Sequence, residues 1–109
     1  MRVKTEQAGG SATVELAGRF DANEVDEFRR AIDAVLGSAT TSVVIDLSQV
    51  VFIDSSALAE LVRVHKAAAQ SGATLTLGTP STAVRVILEI TDLDKVFNIS
   101  VTSAAGNAD

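Results

Sequence analysis

Alternating apolar and polar residues at the start of the chain predict two strands joined by a turn. Arg2 to Gln7 form the first short strand, and Ala8-Gly9-Gly10 is typical of a turn. From Ser11 to Ala17 every second residue is apolar, which predicts the second strand of a hairpin with one face in water. The Gly18-Arg19-Phe20-Asp21 sequence breaks this alternation, so we expect the strand to stop before it.

A helix is predicted directly after this break. Asp21, followed three residues later by Glu24, resembles a capping box. Apolar residues then recur at helical spacing on one stripe, and Gly37 marks the end of the helix. The residues of this stripe are Val25, Phe28, Ile32, Val35 and Leu36.

The middle of the chain predicts a buried strand, a loop and a second helix. Ser42 to Leu47 is a continuous run rich in β-branched residues, which is typical of a strand buried on both faces. We expect this strand to run out into a short loop. A helix from about Ser55 to Gln70 follows, and Gly72 ends it.

The last third of the chain repeats the alternation of strand and helix. Ala73 to Gly78 is another apolar strand, and Thr79-Pro80 predicts a helix entry with Pro80 at the first helical position. That helix is expected to end near Asp92, and Val96 to Val101 to form a last strand at the sheet edge. The residues that this helix is expected to bury are Val84, Ile87, Leu88 and Ile90.

This order of elements predicts one α/β domain with a mostly parallel sheet and an antiparallel opening hairpin. A chain of 109 residues is long enough for a single core. Its net charge of −5, without a cluster of Lys or Arg, argues against nucleic-acid binding. The lack of cysteine excludes disulfides and thiolate chemistry. With no apolar run long enough for a signal peptide or membrane span, we expect a cytoplasmic domain that works through contacts with other molecules.

The reactive polar groups concentrate at the start of the second predicted helix. Asp54, Ser55 and Ser56 follow one another there, where free backbone N–H groups and a partial positive charge favour an anion. Helix capping is the alternative explanation, because Asp and Ser are favoured caps. A cap needs only one such residue, however, and a second hydroxyl remains available for modification. Phosphate would add a charge of roughly −1.5 to −2, which a helix N-terminus tolerates.

The sequence gives little support for a catalytic site. The only histidine, His65, lies ten residues along the helix from Ser55, or roughly 15 Å away, too far to activate it. Asp46 ends a strand as a phosphoacceptor would, but no acidic pair after the first strand could hold magnesium. Phosphate-binding loops and metal-ligand clusters are not evident. We therefore expect no catalytic activity, cofactor or metal, and a half-buried His65 on a stripe with Leu58, Leu61, Val62 and Ala69, satisfied by backbone or water.

The chain resembles the STAS family, and within it the bacterial anti-sigma factor antagonists. The resemblance assigns residues 1–102 to one STAS domain, and residues 103–109 are expected to be a flexible tail. Ala57 and Ala59 depart from it, standing where the family often has glycine. The stretches that carry it are Gly18-Arg19-Phe20-Asp21-Ala22, Val43 to Leu58, Thr79-Pro80-Ser81 and Leu93-Asp94-Lys95-Val96-Phe97.

The resemblance implies a mechanism of regulation. An unphosphorylated antagonist binds an anti-sigma factor that is also a serine kinase, and the sigma factor is released. Phosphorylation of the serine after the motif aspartate dissociates the complex, and a metal-dependent phosphatase restores the antagonist. By position this serine is Ser55, with Ser56 as the second choice. The residues expected in the partner-binding face are Asp21, Asp54, Ser55, Ser56 and Ala57.

Two further expectations accompany this mechanism. The Ala57 methyl group is expected to crowd the surface that a kinase approaches, and the domain to be a monomer or weak homodimer without nucleic-acid or membrane partners. Some STAS domains are instead accessory subunits of lipid-transporting ABC systems or scaffold modules of signalling assemblies. That class of function stays open as the alternative.

Overall fold

The structure, a computed structural model, describes residues 1–100 of the chain. The predicted order of strands and helices is confirmed. Two short 3-10 helices supplement it, Ala22–Glu24 before the first α-helix and Leu93–Lys95 after the third. The strands and α-helices are β1 (Arg2–Ala8), β2 (Ser11–Phe20), α1 (Val25–Leu36), β3 (Ser42–Ile53), α2 (Ser55–Gln70), β4 (Thr74–Gly78), α3 (Thr82–Ile90) and β5 (Asn98–Ser100).

The five strands form one sheet in the order β1-β2-β3-β4-β5. β1 pairs with β2 in an antiparallel hairpin, and the other three neighbouring pairs are parallel. This is the predicted mostly parallel sheet, with β5 at its edge. Val101 and the expected tail at 103–109 lie outside the described residues.

The central strand β3 is buried on one face rather than on both. Val43, Ile45 and Leu47 are fully buried, whereas the alternating Val44 and Asp46 are half-buried. The buried side chains of all three α-helices belong to the same core cluster as the buried face of β3. The prediction of burial on both faces was therefore wrong, because the helices cover a single face of this sheet and leave the other partly open.

β3 continues to Ile53, so the loop predicted after Leu47 was wrong. β2 is also longer than predicted, because it pairs with this extension up to Phe20 and Ile53. Two register shifts accompany the extension, and at each of them β3 carries one residue more than β2. Extra residues of this kind disrupt the two-residue alternation that marks a strand in a sequence. The extended β3 leads directly to Asp54 and the start of α2.

The start of α3 also differs from the prediction. Ser81 is the N-cap, since its Oγ accepts the backbone N–H of Val84 at 3.3 Å. The same hydroxyl donates to the carbonyl of Val50 at 2.6 Å and so fixes the start of α3 to the extended part of β3. Pro80 precedes the cap and is outside the helix. The prediction that Pro80 is the first helical residue was therefore wrong, because Ser81, which follows it, is the N-cap.

The buried face of α3 is narrower than predicted. Val84 and Leu88 are buried as expected and Ile87 is half-buried, but Ile90 is 74% exposed. Val86 is also exposed, one turn before Ile90. The helix therefore presents two large apolar side chains to solvent on one face.

Candidate functional site

Asp54 ties the start of α2 to the segment that follows β2. Its backbone is extended, and its Oδ1 atom accepts the N–H of Ala57 at 2.9 Å as an N-cap. Its Oδ2 atom accepts the backbone N–H of Ala22 at 3.0 Å. Both carboxylate oxygens are thus used, and capping, the alternative explanation for this residue, holds for Asp54.

Ser55 and Ser56 are the first two residues of α2, and both are exposed. Within residues 1–100 neither hydroxyl has a hydrogen-bond partner. Since Asp54 supplies the cap, both hydroxyls stay free to react or to bind a partner. Ser56 also lines the groove between α1 and α2.

Asp21 lies at the corresponding end of β2, but it does not form the predicted capping box. Its carboxylate accepts the N–H of Asn23 and caps the short 3-10 helix. Glu24 does not return the bond, because its carboxylate lies 3.7 Å from the amino group of Met1. The predicted continuous helix from Asp21 is replaced by this 3-10 turn followed by α1.

Arg19 and Phe52 flank the same end of the sheet. They are register partners on β2 and β3, and the Arg19 guanidinium lies 4.0 Å from the centre of the Phe52 ring, a cation–π contact. Arg19 also lies 3.9 Å from Asp21. Val51, which has no partner on β2 in this register, is 69% exposed. This cluster was not predicted, because the two register shifts between β2 and β3 that place its residues are visible only in the structure.

Ala57 was predicted to lie in the partner-binding face, but its side chain is buried. Its side chain is 0% exposed, because it points from the first turn of α2 into the core. It therefore does not crowd the surface around Ser55, and its methyl group is not accessible to a partner. Ala59, the other alanine in a position where glycine is common, is exposed and lines the groove between α1 and α2.

A buried carboxylate joins α1 to α2 beside this groove. Glu60 is only 3% exposed, and it receives hydrogen bonds from Arg29 on α1 at 2.8 and 3.2 Å. Arg63 on α2 donates to the same carboxylate at 2.7 to 3.0 Å. Burial alone would raise the pKa of Glu60, but the hydrogen bonds from both arginines outweigh it and hold that pKa below its ordinary value. Hydrogen bonding to Glu60 likewise raises the pKa of each arginine.

The cluster of Arg29, Glu60 and Arg63 was not predicted from the sequence. Arg63 follows Glu60 by one turn, which is a weak local signal. Arg29 comes from another helix, and the sequence offers no pattern that brings it to Glu60. The three residues meet beside Ser56 only because the tertiary structure packs α1 against α2.

His65 lies away from these groups. It is half-buried as expected, and its ring packs edge-on against Phe97 with centroids 5.3 Å apart. Its Nδ1 atom is buried, and no described residue hydrogen-bonds to it, so the expected backbone partner is not found. The buried stripe of α2 also differs from the prediction, since Val64 and Ala68 belong to it and Ala69 is exposed.

Two features are absent from residues 1–100. No group of three or more His, Cys, Asp or Glu side chains lies close enough to hold a metal ion. None of the helices in this range combines the length and the apolar character needed to cross a membrane.

The fold and the site together define a small α/β domain that exposes two serine hydroxyls at a capped helix start. The family model described as "Mlab, STAS domain" matches residues 3–101. The chain belongs to the STAS family. A STAS-domain containing protein of Pseudomonas aeruginosa is 34% identical over 92 residues, which cover 84% of this chain and 90% of that protein.

Several solved structures share the fold over nearly the whole chain. An anti-sigma factor antagonist from Mycobacterium paratuberculosis has a TM-score of 0.82 at 27% identity, covering 93% of this chain and 86% of that one. The phosphorylated form of SpoIIAA, a cell fate determinant of Bacillus, has a TM-score of 0.71 at 18% identity, covering 91% of each chain. An anti-sigma-factor antagonist (STAS) domain protein from Planctomyces limnophilus has a TM-score of 0.81 at 23% identity, covering 93% and 91%.

Proposed function

We propose that the protein is an anti-sigma factor antagonist that binds an anti-sigma factor with serine kinase activity. Phosphorylation of Ser55 switches this binding off, and a metal-dependent serine phosphatase reverses the switch. The domain acts in the cytoplasm. The observation that carries the proposal is the exposed, unbonded hydroxyl of Ser55 at the first position of α2, beside a cap that Asp54 alone supplies.

The geometry around Ser55 suits reversible modification. Its hydroxyl takes no part in capping, so phosphorylation breaks no hydrogen bond of the described fold. The partial positive charge at the start of α2 stabilises the added phosphate. The domain is thus expected to stay folded while the charge of its partner-binding face changes by roughly −1.5 to −2.

The surroundings of Ser55 suit a protein partner. Val51 and Phe52, at the end of β3, are exposed apolar side chains, and Arg19 and Asp21 add charge of both signs. An apolar centre with a polar rim is typical of protein interfaces. A new phosphate beside such a surface opposes docking, because the phosphate would have to be desolvated on binding.

The comparisons support the same class of function. The solved relatives from Mycobacterium paratuberculosis and Planctomyces limnophilus are described as anti-sigma factor antagonists. SpoIIAA, a more distant relative, has been solved in a phosphorylated and an unphosphorylated form. A modifiable residue is thus a property of at least one protein with this fold.

A phosphorylation assay tests the proposal. The purified chain is mixed with the ATPase-type anti-sigma factor of the same genome and ATP, and modified residues are located by mass spectrometry. We expect a phosphate on Ser55 that is absent in Ser55→Ala and retained in Ser56→Ala. Modification of other residues only, or no modification, would contradict the proposal.

The second candidate is an accessory subunit of a lipid-transporting ABC system or a scaffold module of a signalling assembly. Two observations favour it. The matching family model is described as the Mlab STAS domain and not by sigma-factor regulation. Val86 and Ile90 expose an apolar face on α3, which suits a permanent interface better than a transient one. Stable co-purification with a transport ATPase and permease, unaffected by Ser55→Asp, would favour this candidate.

A further inference from the structure

The groove between α1 and α2 contains two guanidinium groups with unused donors. Arg29 contacts Glu60 through Nε at 3.2 Å and Nη2 at 2.8 Å. Arg63 contacts the same carboxylate through Nε and Nη2 as well. Among residues 1–100, the Nη1 group of neither arginine has a partner. Each arginine can therefore donate to a second anion without releasing Glu60.

The charges in this groove leave room for such an anion. Two guanidinium groups share one buried carboxylate, that of Glu60. Asp33 lies 3.5 Å from Arg63, but its side chain is 58% exposed, so water and salt screen its charge. Asp26 also lines the groove and is exposed; it makes no ion pair with either arginine, but its charge contributes to the raised pKa of Arg29. Of these three carboxylates only Glu60 is buried, so it fixes both cations in place, while the Nη1 donors of both arginines stay unused.

Ser56 shares this groove. The groove has a volume of about 510 Å³, and Ser56 lines it together with Arg29, Glu60 and Arg63. Glu60 and Arg63 follow Ser56 by one and two turns of α2, so the three lie on one helical face. Side chains on a helix lean toward its N-terminus, which directs Glu60 and Arg63 toward Ser56. Ser55 is not part of the groove lining.

We propose that Arg29 and Arg63, positioned by Glu60, form a receptor for a phosphoryl group carried on Ser56. Phosphoserine has three acceptor oxygens and a charge of roughly −1.5 to −2, which matches paired guanidinium donors. The Oγ–phosphorus bond forms as the bond from the γ-phosphorus to the β–γ bridging oxygen of a nucleoside triphosphate breaks. The hydroxyl proton passes to a base of the kinase, and the diphosphate leaves. This inference depends on the proposed function in one respect, because that function supplies the kinase.

The two adjacent serines then differ in what their phosphates do. A phosphate on Ser55 stays at the face that the partner contacts. A phosphate on Ser56 is held by Arg29 and Arg63 and links the start of α2 to α1. The second site thus acts within the domain rather than directly on the partner.

The test compares two semisynthetic proteins, one with phosphoserine at 56 and one with phosphoserine at 55. The pH titration of each phosphate is followed by ³¹P NMR. Both phosphates are at the start of α2, so the charge at the helix end affects both. We expect the second pKa of the phosphate on Ser56 to lie about one unit below that of the phosphate on Ser55, because nearby cations favour the dianion. Equal pKa values would overturn the proposal.

Arg29→Lys and Arg63→Lys test the receptor itself. Lysine keeps a cation beside Glu60 but lacks the fork that serves two anions at once. We expect the combined variant to reduce the pKa difference, because the lysines keep their charge but lose the second set of donors, whereas Arg30→Lys, on an exposed residue of the same helix, leaves it unchanged. A difference of unchanged size in the combined variant would overturn the assignment. Nitrogen-15 spectra of the unsubstituted protein provide a second readout, since phosphate on Ser56, but not on Ser55, must shift the Arg29 and Arg63 side-chain signals.

A last arm separates a covalent phosphate from a free one. Inorganic phosphate is added to the unmodified protein, and the same arginine signals are followed. We expect no saturable shift at millimolar phosphate, because the free ion lacks the tether to Ser56. Saturation at that concentration would assign the groove to a free anion and overturn the covalent proposal. Because phosphoserine is installed directly, failure of the kinase assay on Ser55 leaves these measurements interpretable.

Discussion

The Oδ2 atom of Asp54 accepts the backbone N–H of Ala22 at 3.0 Å. Ala22 begins the 3-10 helix after β2, and Asp54 is the N-cap of α2 after β3, so this bond joins the two chain segments that leave the sheet at the same end. With the cap bond to Ala57, it makes Asp54 a structural residue of the site. The hydroxyl of Ser55 is therefore not needed to stabilise this part of the fold.

Asp54→Ala is expected to destabilise the domain by about 2 kcal/mol, because it removes a helix cap and a second hydrogen bond together. Asp21→Ala is the matched control, since Asp21 caps only the short 3-10 helix. Its expected cost is about 1 kcal/mol. Urea unfolding monitored by circular dichroism measures both. Equal losses would show that the Ala22 bond contributes nothing.

Ser55→Asp is expected to leave stability unchanged and to weaken binding to the anti-sigma factor by more than tenfold, or about 1.4 kcal/mol. Ser55→Ala should bind at least as tightly as the unmodified protein and should resist phosphorylation. Isothermal titration calorimetry with the purified anti-sigma factor measures both affinities. The same affinity for the two variants would contradict a charge switch at Ser55.

The start of α2 could be predicted because its signals are local. An acidic cap, two hydroxyls and an apolar stripe follow one another within a few residues, and they place Ser55 at the first position of the helix as observed. The order of strands and helices was predicted for the same reason. Each element contains its own periodicity and its own end signals.

The parts that could not be predicted depend on residues far apart in the chain. The extension of β3 past Leu47 follows β2 through two register shifts, and the resulting pattern no longer alternates. Arg29 reaches Glu60 from a different helix, 31 residues away in sequence. The exposure of Ile90 was also missed, because helical spacing identifies an apolar stripe but not how much of it the sheet covers.

Leu88 and Ile90 provide a direct test of how α3 is oriented. Leu88→Ala is expected to cost about 3 kcal/mol, because it leaves a cavity in the core, whereas Ile90→Ala should change stability by less than about 0.5 kcal/mol. Both substitutions truncate a large aliphatic residue on the same helix, so each is a control for the other. Thermal unfolding measures the difference. A large loss for Ile90→Ala would mean that this face is covered in solution, as in a dimer.

Glu60 makes the stability of the domain depend on pH. Hydrogen bonds from Arg29 and Arg63 hold its folded-state pKa below its ordinary value, against the opposing effect of burial. A lowered pKa contributes stability that is fully present above the unfolded-state value of about 4.3. That contribution is lost as the pH falls through the lower folded-state pKa. We therefore expect Glu60→Gln to be less stable than the unmodified protein by about 2 kcal/mol at pH 7, since two guanidinium groups lose their shared carboxylate but remain partly exposed to water.

The gap between the two proteins should narrow below about pH 4, because protonation of Glu60 then removes the same charge from the unmodified protein. Glu89→Gln on the exposed side of α3 is the matched control, since it removes one negative charge without disturbing a buried pair. Its effect is expected to stay below about 0.5 kcal/mol at every pH. Guanidinium chloride unfolding between pH 3 and 8 measures all three proteins. A gap between Glu60→Gln and the unmodified protein that stays constant across this range would show that Glu60 has the same pKa in the folded and unfolded states, which would contradict the lowered pKa.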